Sequence, residues 1–163
     1  MMSDRKSSDN IKTAIIHASR QDLSQIVRLE ASIEKPCLFS RSQLRYLLSS
    51  PNAFVFLCHA DGSVVGYGIA LKNKLRNGLY KGRIYFIGVI PEYQFLGIGT
   101  LLLKSMENDL IKTGVSFIVL ETKSDKDGAE SFFKKHGYIK SEILPDYYAS
   151  GDAVKMKKII TAG

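Results

Sequence analysis

The segment from residue 85 to residue 100 constrains the fold of this chain most strongly, because a strand, a glycine-containing loop and a helix follow one another there directly. The apolar run ends at Val89, and Gly97 and Gly99 come just before an amphipathic stretch. Glycines at the entrance to a helix let several backbone N–H groups converge at the positive end of the helix dipole. The pattern therefore predicts an anion-binding loop, whose usual ligand is a pyrophosphate.

Three other interpretations of the two glycines have to be considered. A nicotinamide-dinucleotide fingerprint requires a third glycine, and Leu102 occupies that position, although Glu121 ends the next predicted strand roughly where the motif has its ribose-binding acid. A P-loop requires a lysine after the second glycine, and the sequence has none there. A simple strand-to-helix turn stays open as an alternative at this point.

Hydrophobic periodicity predicts one mixed α/β domain over residues 13–160, preceded by a polar tail, residues 1–12, that we expect to be disordered. Asp61-Gly62 between two apolar runs predicts a β-hairpin. The predicted strands cover residues 13–18, 54–59, 63–71, 83–89, 116–121, 139–144 and 153–159. Four helices are predicted: one begins after Ser19, one begins after Ser40, and the other two cover residues 99–113 and 126–136. Residues 145–152 are predicted to form a loop.

The net charge of +7 on 163 residues raises the question of nucleic-acid binding. The basic residues are scattered, and their densest group, Lys155-Met156-Lys157-Lys158, includes an apolar residue as a strand would. We therefore expect a solvated basic surface and no nucleic-acid partner, although a phosphate-rich cofactor or an acidic partner would also suit it. No apolar run approaches the roughly 20 residues of a membrane-spanning helix, so no membrane association is expected.

Two cysteines, Cys37 and Cys58, are too few for a disulfide scaffold. Neither has histidine or aspartate at metal-ligand spacing, so no metal is predicted. The N-terminal residues lack the apolar stretch of a signal peptide. These features favour a cytoplasmic protein.

The sequence from Val89 to Gly99, VIPEYQFLGIG, resembles the motif V-x-P-x-x-[QR]-x-x-G-x-[GA] of the GNAT superfamily of N-acetyltransferases, and the order of elements agrees over nearly the whole chain. The resemblance implies the GNAT fold. This fold has a central, mostly antiparallel sheet of about seven strands with a parallel pair that splays at the cofactor site, and about four flanking helices. It also implies an enzyme that moves an acetyl group from acetyl-CoA to a primary amine.

The resemblance further implies how acetyl-CoA is held. N–H groups of the glycine loop would bind the pyrophosphate, and the strand end would pair with the pantetheine arm like an additional strand. Phe133 stands where the family usually has a tyrosine, so it can pack against the cofactor but cannot donate a proton. The implied cofactor-binding residues are Ile87, Gly88, Val89, Gln94, Phe95, Leu96, Gly97, Ile98, Gly99, Thr100 and Phe133.

The segment 147–157, YYASGDAVKMK, is similar to the ending of RimI-type protein N-terminal acetyltransferases. The similarity implies that Tyr147 and Tyr148 line a groove for a protein or peptide N-terminus; the alternative is a pair of loop aromatics that cover the core. Small amines such as amino acids, polyamines or aminoglycosides remain alternative acceptors, and a non-catalytic acyl-CoA-binding module is a further alternative. The family's sheets often dimerise, so a homodimer also stays open.

Direct attack of an amine on a thioester requires that the amine first lose its proton, which an α-amine (pKa near 8) does more readily than a lysine (near 10.4). Glu121 matches the base of RimI-type enzymes, or it is a solvated carboxylate at a strand end. The free N–H of Val89 is the natural donor to the tetrahedral oxyanion. Because Phe133 cannot act as the acid, Tyr147, Tyr148 or water protonates the leaving thiolate, or it leaves unassisted.

Overall fold

The computed structural model describes residues 11–33, 38–124, 128–149 and 151–161. Its strands are β1 (Thr13–His17), β2 (Ala53–Ala60), β3 (Ser63–Lys74), β4 (Tyr80–Val89), β5 (Phe117–Lys123), β6 (Ile139–Tyr148) and β7 (Gly151–Ile159). Its helices are α1 (Leu23–Ile33), α2 (Arg41–Ser49), α3 (Ile98–Lys112) and α4 (Ala129–Lys135), with 3₁₀ turns at Arg20–Asp22 and Pro91–Tyr93. None of the helices in these ranges is both long and apolar enough to cross a membrane.

The seven strands form one sheet in the order β1-β2-β3-β4-β5-β7-β6. All neighbouring strands in it are antiparallel except β4 and β5. The predicted hairpin joins β2 and β3, where Asp61 and Gly62 have φ values of 50° and 78°, as a tight hairpin turn with two left-handed residues requires. The predicted fold class is confirmed.

Helices cover both faces of the sheet. On one face α3 buries its apolar stripe, which includes Leu102, Met106 and Leu110, against β2, β3 and β4. On the other face α1 and α2 bury Ile26 and Leu44 in a second cluster. Because each helix presents one apolar stripe to the sheet, the sheet itself is the central layer.

The parallel strands β4 and β5 pair over a short distance only. The ladder consists of Lys81, Gly82 and Arg83 opposite residues 117–119. Beyond this point β4 continues along β3 to Val89, whereas β5 continues along β7. A gap therefore opens between the C-terminal halves of β4 and β5, as the family resemblance implies.

A β-bulge in β4 lies just beyond the last paired residue. Phe86 is opposite Ile69 and Ile84 is opposite Ala70, so Tyr85 is an additional residue in the β3–β4 ladder. A bulge bends its strand and increases its twist. The bend occurs where β4 leaves β5.

The prediction of a loop over residues 145–152 is wrong. β6 extends to Tyr148 and β7 begins at Gly151, which pairs with Tyr148. The region of Pro145 is irregular but lies inside the strand, with a register shift between Leu144 and Tyr148. A proline at an edge strand removes only an outward-facing donor, so the strand continues past it.

Two other predictions fall partly outside the described residues. Helix α4 begins at Ala129, and the predicted start at Lys126 is not among those residues. Residues 1–10 of the predicted tail are likewise outside, so its disorder stays a prediction. Cys37 lies outside as well, whereas Cys58 is a buried free thiol.

A buried carboxylate links α3 to β7 and to the residue that precedes β6. Glu107 on α3 accepts hydrogen bonds from the Tyr138 hydroxyl at 3.0 Å and from Lys158 Nζ at 2.9 Å. Burial, followed by the charge and hydrogen bond of Glu107, raises the pKa of Tyr138 above its usual value. A phenol with a higher pKa in the folded state stabilises the fold below about pH 10, and this contribution is lost as the pH rises further.

Tyr138→Phe is expected to lower the free energy of unfolding at pH 7 by about 1–3 kcal/mol, because Glu107 loses a buried donor. The difference between this variant and the unmodified protein should shrink above pH 10, since only the unmodified protein loses the contribution of Tyr138. Urea unfolding between pH 7 and pH 11 measures both effects. Tyr80→Phe is the control, because it also removes a phenol hydroxyl but keeps the ring that lies 4.2 Å from Lys72 Nζ. If the difference in unfolding free energy between Tyr138→Phe and the unmodified protein stayed constant with pH, the prediction would be contradicted.

Candidate active site

The end of β4 forms one border of the gap. The Ile90 N–H donates to the Val65 carbonyl at 2.9 Å. Since hydrogen-bonded and non-hydrogen-bonded pairs alternate in an antiparallel ladder, the backbone N–H and C=O of Val89 point away from β3. Gln94 Nε2 reaches this side and donates to the Val89 carbonyl at 3.0 Å. The Val89 N–H is therefore directed towards the gap.

Close packing fixes the two residues before Val89. A Cβ at Gly88 would lie 2.6 Å from the Phe86 ring and 3.0 Å from Ile33, so no other residue fits there without rearrangement. Ile87 packs against the core under α3. The predicted segment 87–89 is thus a rigid strand edge with one unpaired side.

The glycine loop leads from this edge into α3. Phe95 and Gly97 have left-handed φ values of 64° and 85°. The Leu101 N–H closes the first helical turn on the Gly97 carbonyl at 3.2 Å, so the N–H groups of residues 98–100 precede any intrahelical acceptor. A Cβ at Gly97 would have no heavy atom within 4 Å. The loop presents several N–H donors to open space, while Leu96 packs on the core.

Helix α4 approaches the same loop with Phe132 rather than Phe133. A Cβ at Gly99 would lie 3.6 Å from the Phe132 ring. Phe133 packs edge-on against Phe132 at 5.1 Å and against Tyr138 at 5.7 Å between ring centroids. Of the two rings, Phe132 therefore lies against the start of α3.

His136 also contacts the first turn of α3. Its Nε2 lies 3.2 Å from Thr100 Oγ1, and its ring packs against Phe132 at 4.8 Å. The sequence predictions for the site included neither Phe132 nor His136. Their spacing of four residues places them on one face of α4, and this signal would have grouped them.

The predicted catalytic residues meet on the other side of the gap. The Glu121 side chain, 15% exposed, forms an ion pair with Arg83 Nη2 at 2.8 Å. Arg83 Nη2 also donates to the Tyr147 hydroxyl at 3.5 Å, and the Tyr148 hydroxyl donates to the Glu121 carbonyl at 3.5 Å. The tyrosine rings pack edge-on, 4.9 Å apart. Arg83 thus connects Glu121 with the tyrosine pair.

The environment of Tyr148 keeps its hydroxyl protonated. Burial raises the pKa of Tyr148, and so do the neighbouring Tyr147 and Glu121, while Arg83 acts in the opposite direction. Because an ordinary tyrosine titrates near 10, a raised pKa leaves the phenol neutral at physiological pH. The Tyr148 hydroxyl therefore retains its proton there.

The sequence predictions did not include Arg83 among the site residues. Arg83 is the last β4 residue paired with β5, opposite Val119, and Glu121 follows two residues later on the same face. Aligning the two parallel strands would have brought a cation and a carboxylate together. That alignment depends on a register that the local sequence pattern does not determine.

The buried side chain of Glu30 positions residues 38 and 39, which lie just before α2. Glu30 is 1% exposed, and its Oε1 accepts from the N–H groups of Leu38 and Phe39 at 3.1 and 2.9 Å. The Phe39 ring packs against Tyr85 at 5.3 Å and against Phe86 at 5.7 Å. The bulged part of β4 is therefore walled by a segment that Glu30 holds in place.

Known proteins are similar to this chain in sequence and fold. Residues 20–138 match the sequence profile of the Acetyltransferase (GNAT) family. An uncharacterised N-acetyltransferase of Methanocaldococcus jannaschii is 33% identical over 142 residues, 86% of this chain and 87% of that protein. The N-alpha-acetyltransferase RimI of Mycobacterium tuberculosis is 28% identical over 148 residues, 86% and 88% of the two chains.

Among solved structures, Arabidopsis thaliana Naa50 in complex with the bisubstrate analogue CoA-Ac-MVNAL superposes with a TM-score of 0.78 at 20% identity, covering 91% of this chain and 99% of that chain. A protein with this fold thus binds a CoA derivative. The fold and the extent of the sequence match define the class: the chain belongs to the GNAT acetyltransferase family. The prediction of an acetyl-CoA-dependent N-acetyltransferase is confirmed.

Proposed function

We propose that this enzyme acetylates the α-amine at the N-terminus of a protein or peptide. The observation that carries the proposal is the group of Glu121, Tyr147 and Tyr148 around Arg83, beside the gap that Val89 borders. RimI of M. tuberculosis and the peptide-containing analogue bound to Naa50 support the same acceptor class. The cytoplasmic location, the homodimer and the lack of a nucleic-acid partner stay predictions.

Acetyl-CoA would bind along β4 and the glycine loop. The N–H groups of residues 98–100, together with left-handed Phe95 and Gly97, offer donors for the pyrophosphate. The open side of segment 87–89 offers N–H and C=O groups to the pantetheine arm. Gln94 supports the loop through the Val89 carbonyl, and Phe132, more than Phe133, lies where it would limit the space beside Gly99. The bound group supplies the activated acetyl thioester.

In the proposed transfer, protons move through Glu121, Tyr148 and water. Glu121, directly or through a water, takes the proton from the incoming ammonium, and the amine nitrogen then forms a bond to the acetyl carbon. The Val89 N–H donates to the oxyanion of the tetrahedral intermediate. Collapse of the tetrahedral intermediate breaks the carbon–sulfur bond, and the nitrogen, which became positively charged in the attack, gives its second proton to water. The departing thiolate receives a proton from water or from Tyr148, and in the second case the Tyr148 phenolate regains a proton from solvent. The products are an N-acetylated chain and CoA.

A thiol-release assay with acetyl-CoA tests the acceptor class. The panel contains peptides with free N-termini, the same peptides with blocked N-termini, free lysine, a polyamine and an aminoglycoside. We expect turnover with the free peptides and none with the blocked ones. If only a small amine is acetylated, the acceptor class is small amines and not peptide N-termini. Binding of acetyl-CoA without any turnover would favour a non-catalytic module.

Gly97→Ala is expected to weaken CoA binding by at least about tenfold, because the new methyl group would point into the space assigned to the pyrophosphate. The residue also has a left-handed φ of 85°, so about 1 kcal/mol of folding stability should be lost as well. Gly78→Ala is a matched control, since Gly78 has a φ of 86° and equally open surroundings. Calorimetric titration with CoA should separate the two variants; equal affinities would remove the loop from the cofactor site.

Glu121→Gln is expected to lower kcat by about 10²–10⁴, the usual contribution of general base catalysis, with little change in the KM for acetyl-CoA. The control is Glu142→Gln, which likewise removes a strand carboxylate from an ion pair, in this case with Lys155 at 3.6 Å. Rate measurements from pH 6 to pH 9 provide the test. A variant with normal rates across that range would show that Glu121 is not the base.

Tyr148→Phe is expected to lower kcat about tenfold or more if its hydroxyl protonates the thiolate. Because the pKa of Tyr148 is raised above its ordinary value near 10, its contribution should persist undiminished up to pH 9. Tyr147→Phe is the comparison, because its hydroxyl contacts Arg83 instead. Full activity of Tyr148→Phe at every pH would assign the proton to water or to Tyr147.

A further inference from the structure

A cavity of about 590 Å³ lies next to the proposed catalytic group, between α2 and the neighbouring parts of β3 and β4. Arg83 and Tyr85 form its wall on the β4 side. The other lining residues are neutral, and they include Phe39, Ser42, Gln43, Tyr46, Asn52 and Asn73. Among the described residues that line the cavity, Arg83 is thus the one that carries a charge.

The guanidinium of Arg83 has N–H donors that its contacts with Glu121 and Tyr147 do not use. Both of its hydrogen-bonding contacts, to Glu121 and to Tyr147, come from Nη2. Its Nε is buried and has no hydrogen-bond partner among the described residues. An arginine has five N–H donors in a planar fork, which can hold two carboxylates on different edges. A buried donor without an acceptor is unfavourable, so a second acceptor that reaches the fork would be stabilising.

We propose that this cavity binds a carboxylate of the acceptor, and that the enzyme prefers an acidic side chain at the first or second residue of its substrate. The inference rests on the proposed function, because it takes the amine to lie at Glu121. Arg83 Nη2 is 2.8 Å from Glu121, so a carboxylate held by the same guanidinium belongs to a residue very close to the reacting amine.

The remaining lining residues suit this ligand. The Tyr85 ring lies beside the guanidinium, with its centroid 5.3 Å from the Arg83 Cζ, and favours a cation at this place. Serine, glutamine and asparagine side chains provide further hydrogen bonds. A lysine or arginine of the substrate would bring a like charge next to the Arg83 guanidinium, and an apolar side chain would leave the Arg83 Nε without an acceptor. The expected order of preference is acidic, then amide, then apolar, then basic.

Matched peptides that differ only in one side chain provide the test. Pairs with Asp against Asn and Glu against Gln, at position one and at position two separately, are assayed by thiol release with the full chain. The ratio of kcat/KM between the acid and its amide should be at least about tenfold at one of the two positions, which corresponds to about 1.4 kcal/mol. Free aspartate and glutamate form a separate arm of the experiment.

Substitutions then link the preference to Arg83. Arg83→Gln should reduce the acid-to-amide ratio to about one, and Arg83→Lys should retain part of it. The matched control is Arg45→Gln, which removes the same charge from an exposed position of α2 that does not line the cavity; its ratio should equal that of the unmodified enzyme. An effect of Arg83 on Glu121 alone would lower all rates together and leave the ratio unchanged.

The outcomes separate this inference from the proposed function. Peptide turnover with a ratio near one at both positions in the unmodified enzyme overturns the inference and leaves the proposed function intact, without any variant having to fold. A ratio that survives Arg83→Gln also overturns it. Acetylation of free aspartate or glutamate but of no peptide would contradict the proposed function and support the carboxylate site. No turnover in either arm would overturn both.

Discussion

The parting of β4 and β5 after the pair formed by Arg83 and Val119 is the constraint on which the rest of the structure depends. A complete parallel ladder would use the backbone groups near Val89 inside the sheet and leave no opening. With the ladder stopped, these groups need another partner, because unpaired backbone donors and acceptors are costly away from water. The bulge at Tyr85 bends β4 at the same level, so sheet geometry and site geometry have one cause.

Arg83 links the two borders of this opening. It is the last paired residue of β4, and its guanidinium extends to Glu121 on β5. A partly buried ion pair gains little net stability once desolvation is counted, but removal of one partner leaves an uncompensated charge. The pair is therefore better explained by positioning than by stability. It holds a carboxylate and a tyrosine hydroxyl at one place beside the opening.

Local signals predicted the parts of the structure that local physics determines. The spacing of Gly97 and Gly99, the stripe of α3 and the Asp61-Gly62 hairpin depend on neighbouring residues only, and each is present. The sequence did not reveal the bulge, because Tyr85 continues the apolar run without interruption. Pro145 misled the prediction, because its effect depends on β6 being an edge strand. The ion pair of Arg83 required a register between strands far apart in the chain.

Glu30 has a consequence for the motion of the wall beside Tyr85. Its carboxylate is 1% exposed and holds the backbone at Leu38 and Phe39 through two hydrogen bonds. Displacement of residues 38 and 39 breaks both hydrogen bonds to a buried side chain at once, and a hydrogen bond contributes about 0.5–1.5 kcal/mol to stability. Intermediate positions gain nothing in return. Residues 38 and 39 should therefore exchange between a bound position and a rarely populated released position, without intermediate positions. Acceptors would then be selected by their fit to a preformed shape.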